Sequence, residues 1–174
     1  RHGGWNETGI VDRLPDTGLK VVWRAPINAG YSGPAVAGGR VFLTDFLRSA
    51  GSRGTELILC FDERTGTLLW KQEWDVNYGS MGFENGPHAT PTVDGARVYV
   101  VGANGMLMAL NTSSGEGLWK KDYVKDYAAE LGLFGMSSAW HVTTTTSRRM
   151  KTANGGFPSV ATATTTNTRA LARN

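Results

Sequence analysis

The 174-residue chain has a single cysteine, Cys60. No internal disulfide can form, which excludes a disulfide scaffold and leaves the compartment open. No apolar run approaches the ~18 residues of a membrane-spanning helix. No secretory leader is visible, and because the chain opens on Arg1 rather than Met, an upstream piece is expected. Charged residues are scarce at 19%, while glycine reaches 23 residues. That balance suits a turn-rich all-β protein. Nucleophile elbows, phosphate-binding glycine loops and paired carboxylates are all missing.

Acidic residues are absent from one region. Residues 140–174 hold five basic residues and no acidic ones, whereas residues 1–139 hold 13 basic against 15 acidic, a net of −2. The two sum to the overall +3. The basic character belongs to the tail, so it gives no reason to expect a nucleic-acid partner for the body of the chain. The tail also holds ten threonines, including Thr143–Thr146 and Thr164–Thr166. Its composition is that of a disordered segment, and its abrupt onset near residue 139 also fits a break in reading frame.

What is present is a repeat. Gly33-Pro34-Ala35-Val36-Ala37-Gly38-Gly39-Arg40-Val41-Phe42 returns as Thr90-Pro91-Thr92-Val93-Asp94-Gly95-Ala96-Arg97-Val98-Tyr99, at an offset of 57. Phe61-Asp62-Glu63-Arg64-Thr65-Gly66, running on to Trp70-Lys71, returns as Leu110-Asn111-Thr112-Ser113-Ser114-Gly115, running on to Trp119-Lys120, at an offset of 49. The difference of eight is an insertion within Phe46 to Glu56, rich in Ser, Gly and Arg and expected as a loop. Each unit reads as four short strands. The second is Arg40–Thr44 or Arg97–Val101, the third Leu57–Phe61 or Met106–Leu110, and the fourth carries the tryptophan. Asp62 is placed to cap the turn that follows the third strand, and Gly66 to supply positive φ there.

Tryptophans 23, 70 and 119 are spaced by 47 and 49 residues, the period of a propeller blade. A lone four-stranded blade buries too little, so blades must stack. An indole on each outer strand would fill the gap between neighbours. On this reading the blade-docking residues are Trp70, Trp119, Asp62, Thr65, Gly66 and Gly115. Truncating either tryptophan is expected to cost ~3–5 kcal/mol.

The pattern Asp/Asn-x-x-Thr/Ser-Gly-x-x-x-Trp resembles the docking repeat of pyrroloquinoline-quinone (PQQ)-type β-propellers. The openings Gly4-Trp5-Asn6-Glu7-Thr8-Gly9 and Asn85-Gly86-Pro87-His88-Ala89-Thr90-Pro91 are similar to those of secreted bacterial members. The resemblance covers roughly residues 4–139. It implies an all-β fold: an incomplete β-propeller of two four-stranded antiparallel blades, plus an N-terminal strand and an irregular C-terminal tail. Residues 1–29 would be a lead-in carrying the strand of a closing blade near Lys20–Ala25. Residues 30–139 would be the propeller repeats, with blades at about 30–75 and 88–123, and residues 140–174 the Thr/Arg tail. Two blades cannot close a ring of 4–8, so such a fragment is expected to expose apolar faces and aggregate.

The family includes quinoprotein dehydrogenases, the propeller lipoprotein of the outer-membrane barrel-assembly machinery, and secreted propellers without an assigned activity. The resemblance therefore implies a non-catalytic, extracytoplasmic binding or assembly platform in the periplasm or cell envelope. The alternative is part of a PQQ-dependent dehydrogenase acting on alcohols or sugars, and a third class is a sensor domain. A dehydrogenase needs PQQ and calcium held by clustered oxygen ligands. No such cluster is legible in the two blades, so no cofactor is expected outside that alternative.

Any ligand contact is expected at the channel mouth, where the blade-to-blade connections Asp75–His88 and Lys121–Met136 converge. Both exceed the ~4–6 residues usual for loops in compact domains. Tyr78, Met81, Phe83, Asn85 and His88 are the candidate contacts, with Tyr127 and Phe134 from the second connection, and Tyr123–Leu133 reads as a short helical turn. Their aromatic and hydrogen-bonding groups suit a protein or small-molecule ligand. His2, His88 and His141 are too scattered to hold a metal. Cys60, between Leu59 and Phe61, reads as a buried structural thiol. Asp45 and Glu84 read as solvated loop carboxylates that could also face the channel.

Overall fold

The computed structural model of the chain describes residues 13–81, 85–132 and 135–137. The tail, with its threonine runs and His141, lies outside the described residues, as do His2, Phe83, Glu84 and Phe134.

Two four-stranded antiparallel meanders stand side by side. The first contains β1 (Ala35–Ala37), β2 (Arg40–Ala50), β3 (Arg53–Asp62) and β4 (Leu68–Asn77). The second contains β5 (Thr92–Asp94), β6 (Arg97–Val101), β7 (Met106–Asn111) and β8 (Gly117–Asp122), followed by α1 (Tyr123–Tyr127). Strand order within each sheet follows chain order. Alternation along β2 and β3 sends Phe42, Ile58 and Cys60 to one face. There they meet Val98, Val100 and Leu110 of the second sheet in one buried cluster. This seam holds the blades together, because each sheet alone would leave that face in water.

Each sheet's outer strand carries a bulge immediately before its tryptophan. Cys60 pairs with Trp70 but Phe61 pairs with Leu68, leaving Leu69 as the extra residue. Likewise Ala109 pairs with Trp119 and Leu110 with Gly117, leaving Leu118 extra. A bulge bends the strand and re-aims the next side chain. Trp70 thereby reaches across to the second blade. Its Nε1 donates to the Thr112 carbonyl at 3.1 Å, and its ring lies over Gly115, where a Cβ would sit 2.6 Å from Cδ2. Gly115 also has φ +73°, so it needs glycine for both reasons.

The same joint occurs once more. Trp23 donates to the Glu63 carbonyl at 2.8 Å and covers Gly66, which has φ +70°. The turns that present these glycines are tied by one side chain each. Asp62 Oδ1 accepts from the amides of Arg64 and Thr65 and from the Thr65 hydroxyl. Asn111 Oδ1 accepts from both donors of Ser113 and from the Ser114 amide.

Two expectations change. The described part of the lead-in, 13–29, forms no strand where one was expected near Lys20–Ala25: residues 19–28 make no ladder, and the nearby bridge joins Ala29 to Phe46. Trp23 nonetheless stands where a preceding blade would place its tryptophan. The Phe46–Glu56 insertion is not a loop, because β2 and β3 run on through it to a tight turn at Gly51. Its polarity suggested a loop, but ladder hydrogen bonds use backbone groups, so exposed polar side chains such as Arg48, Ser49 and Arg53 do not prevent pairing. Phe46 is buried there against Val76, Tyr78 and Ala103, and Gly54 and Glu56 are buried as well.

Candidate functional site

At the end of the blades opposite the tryptophan joints, the Tyr78–Pro91 connection leaves β4 beside the β2–β3 hairpin. It crosses to β5 past the turn Gly102–Gly105. Asp122 caps α1 by accepting from the amides of Val124 and Lys125, and Ala128 closes the helix in the left-handed conformation. Beyond it, the Met136 amide returns to the Ala103 carbonyl at 3.0 Å. A Cβ on Gly135 would lie 3.0 Å from Met81 Sδ. The two connections therefore meet at one end of the structure.

The candidate contacts do not share one environment. Tyr78 is 2% exposed, inside the cluster with Phe46, Val76 and Ala103. Met81 is half-buried against that cluster. Asn85 and His88 are half-buried, and Tyr127 is exposed. His88 stacks on Tyr31, with ring centroids 4.6 Å apart and planes 11° from parallel. Partial burial holds the His88 imidazole below its usual pKa. Tyr31 and His88 are repeat equivalents at the offset of 57. So are Gly33 and Thr90, whose amide and hydroxyl bond at 3.0 Å. Adjacent blades thus interlock through matching positions of their inner rims. Tyr31, 48% exposed, was not singled out in the sequence, yet the repeat offset that relates it to His88 was legible there.

Beneath this rim lies a residue the sequence did not mark. Glu56 is fully buried. Its carboxylate accepts from Tyr78 Oη, from Trp74 Nε1 at 2.9 Å and from the Ala103 amide at 3.1 Å. One oxygen pair thus ties β3, β4, the first connection and the second blade. Burial pushes the Glu56 pKa up, against the lowering effect of the three donors. Tyr78 is pushed up as well, first by burial and then by the neighbouring carboxylate. The Gly86 amide donates to Tyr78, so the network extends to the residues flanking Pro87. Gly86 itself lies against the lead-in, where a Cβ would come 2.9 Å from Gly30 Cα.

Asp45 is not a solvated loop carboxylate. It is buried, with both oxygens taken by Asn28, from its amide at 2.9 Å and from Nδ2 at 2.8 Å. Cys60 is buried in the seam, with its thiol pushed up to about 11 by burial. Among the described residues no three His, Cys, Asp or Glu side chains gather as metal ligands. Each of the two buried carboxylates accepts three N–H or O–H donors.

Stacked four-stranded meanders joined by repeated tryptophan docking define a β-propeller, here two adjoining blades of one. The repeats resemble those of PQQ-type propellers. Residues 54–133 match the family model described as outer membrane protein assembly factor BamB. Two curated relatives carry that same description. The protein from Aliivibrio fischeri is 37% identical over 60 residues, 33% of this chain and 16% of the relative. The Vibrio cholerae protein is 31% identical over 96 residues, 54% of this chain and 23% of the relative. The chain thus spans about a fifth of the length of either. The crystal structure of a quinohemoprotein alcohol dehydrogenase from Comamonas testosteroni superposes with a TM-score of 0.50 at 17% identity, over 65% of this chain and 16% of that one. At that identity the likeness shows the fold alone.

Proposed function

We propose that the chain contributes to a non-catalytic, extracytoplasmic propeller that serves bacterial outer-membrane protein assembly as a binding platform. The observation that carries this reading is the match of the repeats to assembly factors at 31–37% identity. The geometry supports it. Met81, Asn85 and His88, with Tyr31, form a rim of aromatic and hydrogen-bonding groups held on a fixed network. Such a surface suits a protein partner better than a polyanion. The described residues include no helix long and apolar enough to cross a membrane. The dehydrogenase alternative rests on likeness of fold, which does not carry chemistry.

Tyr78 takes a different role from the one its composition suggests. It supports the rim from below, so partner contact falls to Tyr31, Asn85 and His88, with Phe83 beside them in sequence. The test is binding of the chain to a purified barrel-assembly complex that lacks its own propeller subunit. Asn85→Ala and His88→Ala together should weaken binding ~tenfold or more, the ~1.4 kcal/mol scale of one good contact, with an unchanged circular dichroism spectrum. Undiminished binding would move the site elsewhere. Dye-linked alcohol oxidation that depends on added PQQ and calcium would replace this reading with the alternative.

A further inference from the structure

We propose that Met81 and Met136 form an oxidisable clasp at the mouth. Transfer of one oxygen from hydrogen peroxide to their thioethers parts the two blade-to-blade connections. The clasp rests on packing alone and does not depend on the reading above.

Where the two connections meet, each lays a methionine on the other. Met81, of the first, packs half-buried against Phe46, Val76, Tyr78 and Ala103. Its Sδ also presses on the second connection, where a Cβ on Gly135 would lie 3.0 Å from it. Met136, of the second, packs half-buried against Ala89 of the first, beside Val101 and Leu107. Its amide donates to the Ala103 carbonyl at 3.0 Å. The same carbonyl would clash with a Cβ on Gly135, which has φ +64°, so the backbone there can carry no side chain. Ala103 is thus the floor on which both methionines rest. Met106 and Met108 differ. They belong to the β7 ladder, whose backbone pairing does not depend on their sulfur.

In the oxidation step a sulfur lone pair attacks one oxygen of the peroxide. An S–O bond forms and the O–O bond breaks. Sulfur gives up two electrons, and the departing hydroxide takes the proton of the transferred oxygen and leaves as water. A thioether needs no ionisation for this, so half-burial at a water-facing end gives access enough. The product is a polar, chiral sulfoxide in place of a soft apolar group. The Met81 sulfur leaves no room for even a Cβ on Gly135, so it leaves none for an oxygen on that side. On its other sides the oxygen sets a dipole against the rings of Phe46 and Tyr78 unless the side chain swings out into water. Either way the contact between the connections is lost. On Met136 the oxygen faces the apolar side chains of Ala89, Val101 and Leu107, with the same result. Beneath them the Glu56 carboxylate still holds Tyr78 and the Ala103 amide. The release is therefore confined to the outer parts of the connections.

Amide hydrogen exchange of the full chain, with and without hydrogen peroxide, tests this, with the sites of oxygen addition read by mass spectrometry of its peptides. Both methionines should gain one oxygen. Exchange of the Met136 amide should then rise ~tenfold or more, the size of a lost half-buried side-chain contact. Treatment with methionine sulfoxide reductases should restore its protection. The Ala103 amide, bonded to Glu56, and the Gly66 amide, bonded to the Asp62 carbonyl, should stay protected throughout. Met81→Leu combined with Met136→Leu, a swap close in volume, should match wild type before peroxide and be unmoved by it. Met81→Gln should exchange fast at Met136 with no peroxide at all. Met81 and Met136 left unoxidised by peroxide that converts Met106 would overturn the proposal. So would oxidation of both without faster Met136 exchange, equal acceleration in the double leucine variant, or loss of protection at Gly66 as well, which would mean general unfolding.

Discussion

Truncating Trp70 and Trp119 should have unequal costs, although the sequence treats them alike. A buried indole removes ~150–250 Å2 from water, worth ~4–6 kcal/mol at ~25 cal/mol/Å2. Trp70 is half-buried in the seam between blades and donates to the Thr112 carbonyl. Trp70→Ala should therefore cost ~3–5 kcal/mol, in the usual range for aromatic truncation. About 1 kcal/mol of that is the hydrogen bond, which Trp70→Phe would isolate. Trp119 keeps 41% of its surface in water and, among the described residues, its ring packs on Tyr99 of its own blade, so Trp119→Ala should cost ~1–2 kcal/mol, an ordinary value for a part-exposed position. Guanidinium unfolding followed by far-ultraviolet circular dichroism, at concentrations below any association, measures both. Equal losses for the two variants would refute the claim that docking between blades, rather than packing within one, gives the tryptophan its energetic weight.

Glu56→Ala should destabilise by ~3–5 kcal/mol, since it strands the buried donors of Trp74, Tyr78 and Ala103. Glu56→Gln, which keeps one acceptor, should cost visibly less, and denaturant midpoints would compare them. Because burial raises the Glu56 pKa in the fold, its contribution to stability is full below about 4.5 and is lost as pH rises through the folded value. The melting-temperature advantage of wild type over Glu56→Gln should therefore shrink from pH 4 to pH 8, and parallel curves would count against it. Asp62 and Asp122 work the other way. Hydrogen bonds, first from Thr65 and first from Lys125, hold them below the usual carboxylate range, so their stabilisation is present above pH ~4 and fades on acidification. Asp62→Ala should flatten the acid limb of the stability curve. Cys60, buried and with its thiol near 11, should resist maleimide in the native state at pH 8 and react at the rate of unfolding. Rapid native labelling would show that the seam opens locally.

The repeat was legible because two kinds of position recur in register: turn residues that need a special backbone geometry, and the apolar residues they separate. Gly66 and Gly115, Asp62 and Asn111, and the paired valines of β2 and β6 each have one physical solution. The bulges at Leu69 and Leu118 were not legible, since an extra residue in a ladder leaves no compositional trace. Glu56 was hidden for a related reason. A glutamate in a Ser/Gly/Arg-rich stretch reads as solvent-facing, and its burial depends on donors 18, 22 and 47 residues away. Tyr78 was read as a mouth contact because loop aromatics commonly are. The network that draws it inward is set by Glu56 and Gly86. The lead-in was read as a strand from its tryptophan, and Trp23 does dock, but a strand also needs a neighbour to pair with.

The eight inserted residues of the first repeat have a mechanical meaning. They lengthen β2 by six residues and β3 by four relative to β6 and β7 while the turn between them shortens by two, a net of about four residues on each arm that raises the hairpin ~14 Å above the level of the second blade at ~3.4 Å per residue. None of the extra length appears at the other end, where a tryptophan must meet a glycine at a fixed height. Each blade is therefore pinned at its base and adjustable at its rim, like a post set to depth and cut to any length above ground. Changes of length are absorbed where the two connections converge, so the relief of the mouth can be reshaped without retuning the joints that hold the blades together.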